Sequence, residues 1–201
     1  MIEKILGIDL AGSERRKTGI TFVKNEKLIT FEINTDNEIL DIIDYVQPNL
    51  ICIDAPLSIP EGRKSIDDKR GKHLRECDKI LLKMKIKFFP ITLGPMRMLT
   101  KRAIFLLQKI DKNIETIEVF PGALYDSIKI GRKNKIQITK TYSKIFAKMN
   151  VFFEIREYSQ DELDSIACFL TGVLYKQNKT IILEGKDGKI VIPINDFTEY
   201  I

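Results

Sequence analysis

The sequence contains a single histidine, His73, set in a charged stretch. A serine or cysteine nucleophile served by an imidazole base would depend on that one residue, and its surroundings read as protein surface. Cys52, Cys77 and Cys168 each stand alone among apolar neighbours. Without a C-x-x-C spacing they form neither a zinc framework nor a disulfide one. No apolar run approaches the roughly 18–20 residues that a membrane helix needs. The first ten residues lack the basic, apolar and small-residue order of a secretory leader, so a cytoplasmic protein with no membrane partner is expected. There is no internal repeat, no low-complexity tract and no late glycine-rich nucleotide loop.

What is present suits one sizeable core. The chain has 201 residues, 44% apolar and 30% charged, which is the range of an ordinary globular domain. Net charge is a mild +5, and its distribution says more than its sum. Residues 63–102 carry 13 lysines and arginines against Asp67, Asp68, Glu76 and Asp78. Arg63, Lys64, Arg70, Lys72, Arg75, Arg97, Lys101 and Arg102 are the candidates for contact with nucleic-acid phosphates. The simpler account of such a run is a solvated helix face.

Hydrophobic spacing predicts strands over 5–10, 18–23 and 28–33, in meander. Thr35-Asp36-Asn37-Glu38 is a capping box opening a helix with Ile39, Ile42, Ile43 and Val46 on one face. Residues 50–53 form a continuous apolar run, as in a central strand covered on both sides. Residues 57–114 are long for a crossover and hold two helical patterns, Leu74, Cys77, Leu81, Met84 and Leu99, Ala103, Leu106, Leu107, Ile110. They read as a helical cap inserted into one domain spanning 1–201. A strand over 116–120, closed by Pro121-Gly122, and a helix carrying Tyr142, Ile145, Phe146 and Met149 follow. Ser159-Gln160-Asp161-Glu162 is a second capping box, leading a stripe of Leu163, Ile166, Ala167, Leu170 and Leu174. Residues 180–183 and 189–192 flank Asp187-Gly188 as a hairpin. The order is that of an α/β, ribonuclease H-like mixed sheet: a three-stranded antiparallel meander plus parallel strands, flanked by helices, with right-handed crossovers.

Against this frame the acids stand out. Asp9 interrupts an apolar strand, where an unpaired charge costs several kcal/mol, so a metal ion, an arginine or backbone donors must compensate it. Asp54 closes the next apolar strand, at the carboxyl end where open α/β sheets build their sites; a turn accepting backbone hydrogen bonds is the plainer alternative. In the second capping box, Glu162 is accounted for by the cap and Asp161 by the helix dipole. Asp164, past the first turn and beside Ala167 and Cys168, has the weakest structural excuse. Asp161 shares its face. Glu118 is either a ligand or a half-exposed strand residue. Carboxylates without His or Cys select hard ions, Mg²⁺ or Mn²⁺, and two such ions suit phosphodiester hydrolysis.

Four segments taken together carry a resemblance: Ile8-Asp9-Leu10-Ala11-Gly12-Ser13, Ile53-Asp54-Ala55-Pro56-Leu57, Glu118-Val119-Phe120-Pro121-Gly122-Ala123-Leu124 and Asp161-Glu162-Leu163-Asp164-Ser165-Ile166-Ala167. In this order they resemble the family known as domain of unknown function 429, described as predicted nucleases of the ribonuclease H fold and similar to Holliday-junction resolvases. The resemblance spans residues 7–193. It implies that Asp9, Asp54 and Asp164 are the three acidic positions and Asp161 the fourth, that two Mg²⁺ or Mn²⁺ ions are the cofactors, and that nucleic acid is the partner. Because the family's own activity rests on its fold, the step to nuclease is by analogy. A homodimer would suit a junction-type nuclease, although no heptad or interface stripe demands one. Two other functions share this core: a non-catalytic nucleic-acid-binding or assembly module, and a small-molecule phosphotransferase. The last uses two such domains with nucleotide between them, against one here.

Overall fold

The computed structural model describes residues 4–195; residues 1–3 and 196–201 of the expected domain, including the start of the segment read for a leader, lie outside the described residues. Five strands build a mixed sheet in the order β3-β2-β1-β4-β5. β1 (Ile5–Asp9), β2 (Thr18–Lys24) and β3 (Lys27–Ile33) form the antiparallel meander. β4 (Leu50–Ile53) and β5 (Glu115–Glu118) add in parallel on the other side of β1.

Strand alternation sends side chains to two separate cores. Leu6, Ile8, Ile51 and Ile53 pack with Ile39 and Ile43 of α1 (Asp36–Val46) and with Ala103 and Leu106 of α3 (Gly94–Lys109). Ile5, Leu50 and Cys52 face the other way, onto α5 (Lys135–Lys148) and α6 (Gln160–Lys176). Burying each such aliphatic side chain contributes roughly 1.5–3 kcal/mol. Covering on both faces is why β1 and β4 read as unbroken apolar runs.

α6 lies unusually close to the sheet. A Cβ added at Gly7 would fall 2.3 Å from the Ser165 carbonyl oxygen, and one at Gly19 only 1.9 Å from that of Asp161. The bare backbone of β1 and β2 thus lets the first turns of α6 rest on the strand ends. Both capping boxes form as expected: Thr35 and Ser159 accept from the amides of Glu38 and Glu162, whose carboxylates reach back.

The insertion holds α2 (Glu76–Lys83) and α3. Arg102 ties α3 down by donating to the carbonyls of Ala11 (2.9 Å) and Asn34 (2.7 Å) and to Asp36 (2.8 Å). Beyond β5 the chain turns into a helix, α4 (Pro121–Ser127), where the sequence suggested only a strand stop. Proline at the first helical position is compatible with both, since its missing N–H would be unpaired there in any case. β6 (Thr180–Gly185) and β7 (Gly188–Pro193) form the expected hairpin as a separate two-stranded sheet. Its turn is Lys186-Asp187, one residue earlier than expected, and the Asp187 carboxylate accepts from the amides of Glu61 and Glu76 (2.9 and 2.8 Å). Among the described residues no helix is long and apolar enough to cross a membrane.

Candidate functional site

Three of the expected acids meet at one end of the sheet. β1 and β4 are parallel, and the Asp54 amide continues their ladder by donating to the Ile8 carbonyl (2.9 Å). Asp9 and Asp54 therefore leave adjacent strand ends side by side. By alternation both lie on the α6 face, with Ile5, Gly7 and Cys52. Above them, Cys168 of α6 reaches the same Ile8 carbonyl (3.4 Å), and Asp164 sits one turn earlier. Asp161 follows from the same contact, because its carbonyl rests over Gly19, the residue paired with Asp9.

All four aspartates are half-buried. Burial, then repulsion from Asp54, Asp164 and Asp161, holds the Asp9 carboxyl well above the usual carboxylate range. Asp54 is pushed up by burial, Asp164 and Glu118, with Arg132 pulling it back. Asp164 is raised to about 6, chiefly by burial, against hydrogen bonds from Tyr125 and Gln160 that favour its ionised form. Asp161 is also raised, by burial and by Glu32, with Lys17, Arg16 and Lys135 opposing.

Their partners are few. Both donors to Asp164, Tyr125 Oη at 2.6 Å and Gln160 Nε2 at 2.9 Å, use Oδ1. Tyr125 is itself backed by Tyr142, whose hydroxyl lies 3.4 Å away. No buried polar side-chain atom among the described residues lacks a partner, so a carboxylate oxygen without a protein donor keeps some contact with solvent. Among the described residues no group of three or more His, Cys, Asp or Glu side chains is gathered tightly enough to hold a metal ion in this arrangement. The donor set itself, hard oxygen ligands that repel one another, is the kind a divalent cation satisfies.

Two cavities open on this cluster. The larger, about 1130 Å³, has Asp9 and Asp161 on its lining, with the loop after β1 on one wall and residues 94–99 of α3 on the other. Its cations are Arg15, Arg16, Lys17, Arg97 and Lys101. Arg97 and Lys101 were singled out from the sequence. Arg15, Arg16 and Lys17 were not; their position directly after the Asp9 strand was the available signal. The smaller cavity, about 500 Å³, has Asp54 and Arg132 on its lining and is walled largely by apolar and aromatic side chains. The two share Met96 and Leu99 of α3.

Arg132 was also missed, lying outside the basic stretch. Its guanidinium is turned to Asp126 (3.1 and 2.5 Å) and to the Lys87 carbonyl (2.7 Å), above the Phe120 ring at 5.3 Å.

Glu118 and Arg75 are corrected together. Glu118 pairs in register with Ile53, so by alternation it leaves the sheet on the face opposite Asp54. There it is 7% exposed and takes both Nη atoms of Arg75 at 2.6 Å, plus the Leu57 amide at 2.9 Å. Arg75, 1% exposed, also grips Asp78 (2.8 Å) and Ser58 (3.0 Å). Glu118 is consumed by an arginine rather than offered to a metal, and Arg75 has no face for a phosphate. Arg102 is likewise buried in the anchoring contacts of α3. Arg63 donates to the carbonyls of Lys72 and Asp68 and so shapes its own loop, Lys72 pairs with Glu61 and Lys101 with Asp67. Lys64 and Arg70 are exposed but line neither cavity, and His73 is exposed as expected.

Comparison with family models, with curated proteins and with solved structures gave no match.

Proposed function

We propose that the protein is a divalent-metal-dependent nuclease on a ribonuclease H-like core, hydrolysing phosphodiester bonds of DNA or RNA. The observation that carries this is the meeting of Asp9, Asp54 and Asp164 at the carboxyl ends of two parallel strands, half-buried and raised first by burial and then by neighbouring carboxylates, with no ion pair to any of them among the described residues. The meander running into parallel strands supports the ribonuclease H-like reading, as does the resemblance to the family known as domain of unknown function 429.

Asp9, Asp54 and Asp164 would hold Mg²⁺ or Mn²⁺, with Asp161 alongside. Two bound ions would supply a hydroxide nucleophile and stabilise the leaving oxygen. Tyr125 and Gln160 fix the Asp164 carboxylate through Oδ1, which leaves Oδ2 without a protein donor among the described hydrogen bonds. Arg15, Arg16, Lys17 and Arg97 line the approach to Asp9 and suit a phosphate backbone. The first turns of α3, residues 94–99, form the opposite wall of that approach.

A second reading, a non-catalytic nucleic-acid-binding module, is favoured by the absence of a closed three-ligand group among the described residues. Thermal unfolding in a Mn²⁺ or Mg²⁺ titration, followed by a cleavage screen on branched and linear nucleic acids, separates them. At about a hundred times its dissociation constant, metal stabilises the wild type by roughly 2.7 kcal/mol and leaves Asp9→Asn, Asp54→Asn and Asp164→Asn unshifted. Metal binding with no cleavage moves the binding module ahead. No metal response, with or without an oligonucleotide, removes the nuclease.

A further inference from the structure

The segment after α2 combines two features that solvated surfaces rarely combine. Large apolar side chains are exposed along it, Met84 at 41%, Phe89 at 73% and Leu93 at 46%; such grouping marks a contact surface. Lysines alternate along it: Lys83, Lys85 and Lys87 fall between Leu82, Met84, Ile86 and Phe88, of which Leu82 and Met84 are exposed while Ile86 and Phe88 pack partly buried against the core. Basic residues interleaved with aromatic and aliphatic ones suit single-stranded nucleic acid, whose backbone follows the charges while its bases stack on ring faces.

This segment does not present a flat surface. Phe88, Phe89 and Phe120 wall the smaller cavity, Lys87 and Arg132 bring positive charge to it, and Asp54 lies on its lining, as does the internally paired cluster of Arg75, Asp78 and Glu118. At about 500 Å³ it is within the range of ligand pockets. Through Met96 and Leu99 it adjoins the basic cleft above Asp9. A chain whose phosphate lies at the carboxylates can therefore send one neighbouring base into the aromatic cavity. A base inside a duplex reaches such a pocket only by leaving its stack.

We propose that this cavity receives an unstacked base of a single-stranded stretch of nucleic acid, with Phe89 as the stacking platform and Lys87, followed by Lys85 and Lys83, along the flanking phosphates. The proposal rests on the nucleic-acid reading above and adds that the substrate is single-stranded next to the carboxylates. The same apolar and basic mixture on an open face would suit an anionic membrane. The concave shape and the path to Asp54 favour the base.

The test uses the full chain in EDTA, so that nothing is cleaved. A single-stranded oligothymidylate of about 12 nucleotides, bearing one 2-aminopurine, is titrated beside a duplex of equal length and phosphatidylserine vesicles. Wild type, Phe89→Ala and the double variant Arg15→Ala/Arg16→Ala are compared, with unfolding curves to confirm that each is folded. Wild type should bind the single strand and quench the 2-aminopurine. Phe89→Ala should weaken single-strand binding about tenfold or more, abolish the quench and leave duplex affinity and salt slope unchanged. The arginine variant should reduce the salt slope on both nucleic acids. If Phe89→Ala binds and quenches like wild type while the arginine variant weakens, the base pocket is wrong and the nucleic-acid reading survives. If wild type binds neither nucleic acid, in EDTA or with Ca²⁺ added to offset the carboxylates, both fall. Vesicle binding that depends on Phe89, with oligonucleotide binding indifferent to it, overturns the proposal in favour of a membrane surface.

Discussion

Two acidic clusters sit at the ends of neighbouring strands, and the protein treats them in opposite ways. Glu118 and Asp78 are buried around Arg75, which offers each a close, multiply bonded partner. Burial pushes the Glu118 carboxyl up, and Arg75 and the Leu57 amide pull it back. At the neighbouring strand ends, burial and mutual repulsion raise Asp9 and Asp54, and Arg132, which pulls Asp54 and Asp164 back, is committed to Asp126. The first cluster is internally complete and its product is architecture: it joins α2, the loop after β4 and the end of β5. The second has no ion pair to Asp9, Asp54 or Asp164 among the described residues. Protonation relieves it, as would the bound cation of the proposed function.

The largest test of that contrast is one substitution in each cluster, followed by urea unfolding at pH 7.5 without divalent metal. Arg75→Met strands two buried carboxylates and should cost about 3–5 kcal/mol. Asp9→Asn removes a repelled charge and should leave stability unchanged or raise it by about 1 kcal/mol. Equal losses from the two would erase the distinction between the clusters.

A pH series gives the next effect. A carboxyl raised in the folded state binds more protons folded than unfolded between the unfolded value, about 4, and the folded one. Stability contributed this way is greatest below that window and is lost as pH rises through it. With Asp164 at about 6 and Asp9 and Asp54 also raised, the metal-free protein should gain roughly 1–3 kcal/mol on going from pH 7.5 to 5. The triple Asp→Asn variant should not. Below about pH 4 the trend reverses, because Glu38, Glu61 and Asp187 are held below their usual range by hydrogen bonds and ion pairs and lose them on protonation. A wild type that only loses stability throughout the acid series would show that the aspartates are compensated after all.

The smallest effect sharpens the comparison within the site. Tyr125→Phe removes one donor to Asp164 and should cost about 0.5–1.5 kcal/mol of stability. The Asp164 carboxyl should titrate higher still, readable by NMR of the side-chain carboxyl. No change in that titration would deny Tyr125 a part in orienting Asp164.

The candidate site was legible in the sequence where a residue lacked a local excuse. Asp9 inside an apolar strand, Asp54 at the end of another and Asp164 beyond its capping box each break a local rule. Glu118 breaks the same rule, yet its explanation, Arg75, lies 43 residues earlier in an insertion with no periodic link to β5. Arg75 and Arg102 were counted with the basic face because a charge run carries no sign of which member turns inward. α4 escaped notice because Pro121-Gly122 serves equally to stop a strand and to start a helix.

By itself the sequence determined the elements that depend on neighbouring residues. These are the apolar runs of β1 to β4, both capping boxes, the stripes of α1, α3 and α6, and the hairpin near Asp187. Each is set by interactions a few residues apart, so spacing records it. Tertiary structure alone decided which acid is paid for by an arginine and which is left open. It also decided how near α6 can approach through Gly7 and Gly19, and that Met96 and Leu99 divide a basic cleft from an aromatic one. Those outcomes come from contacts between segments far apart in the chain, where burial and distance, rather than spacing, set the energy of a charge.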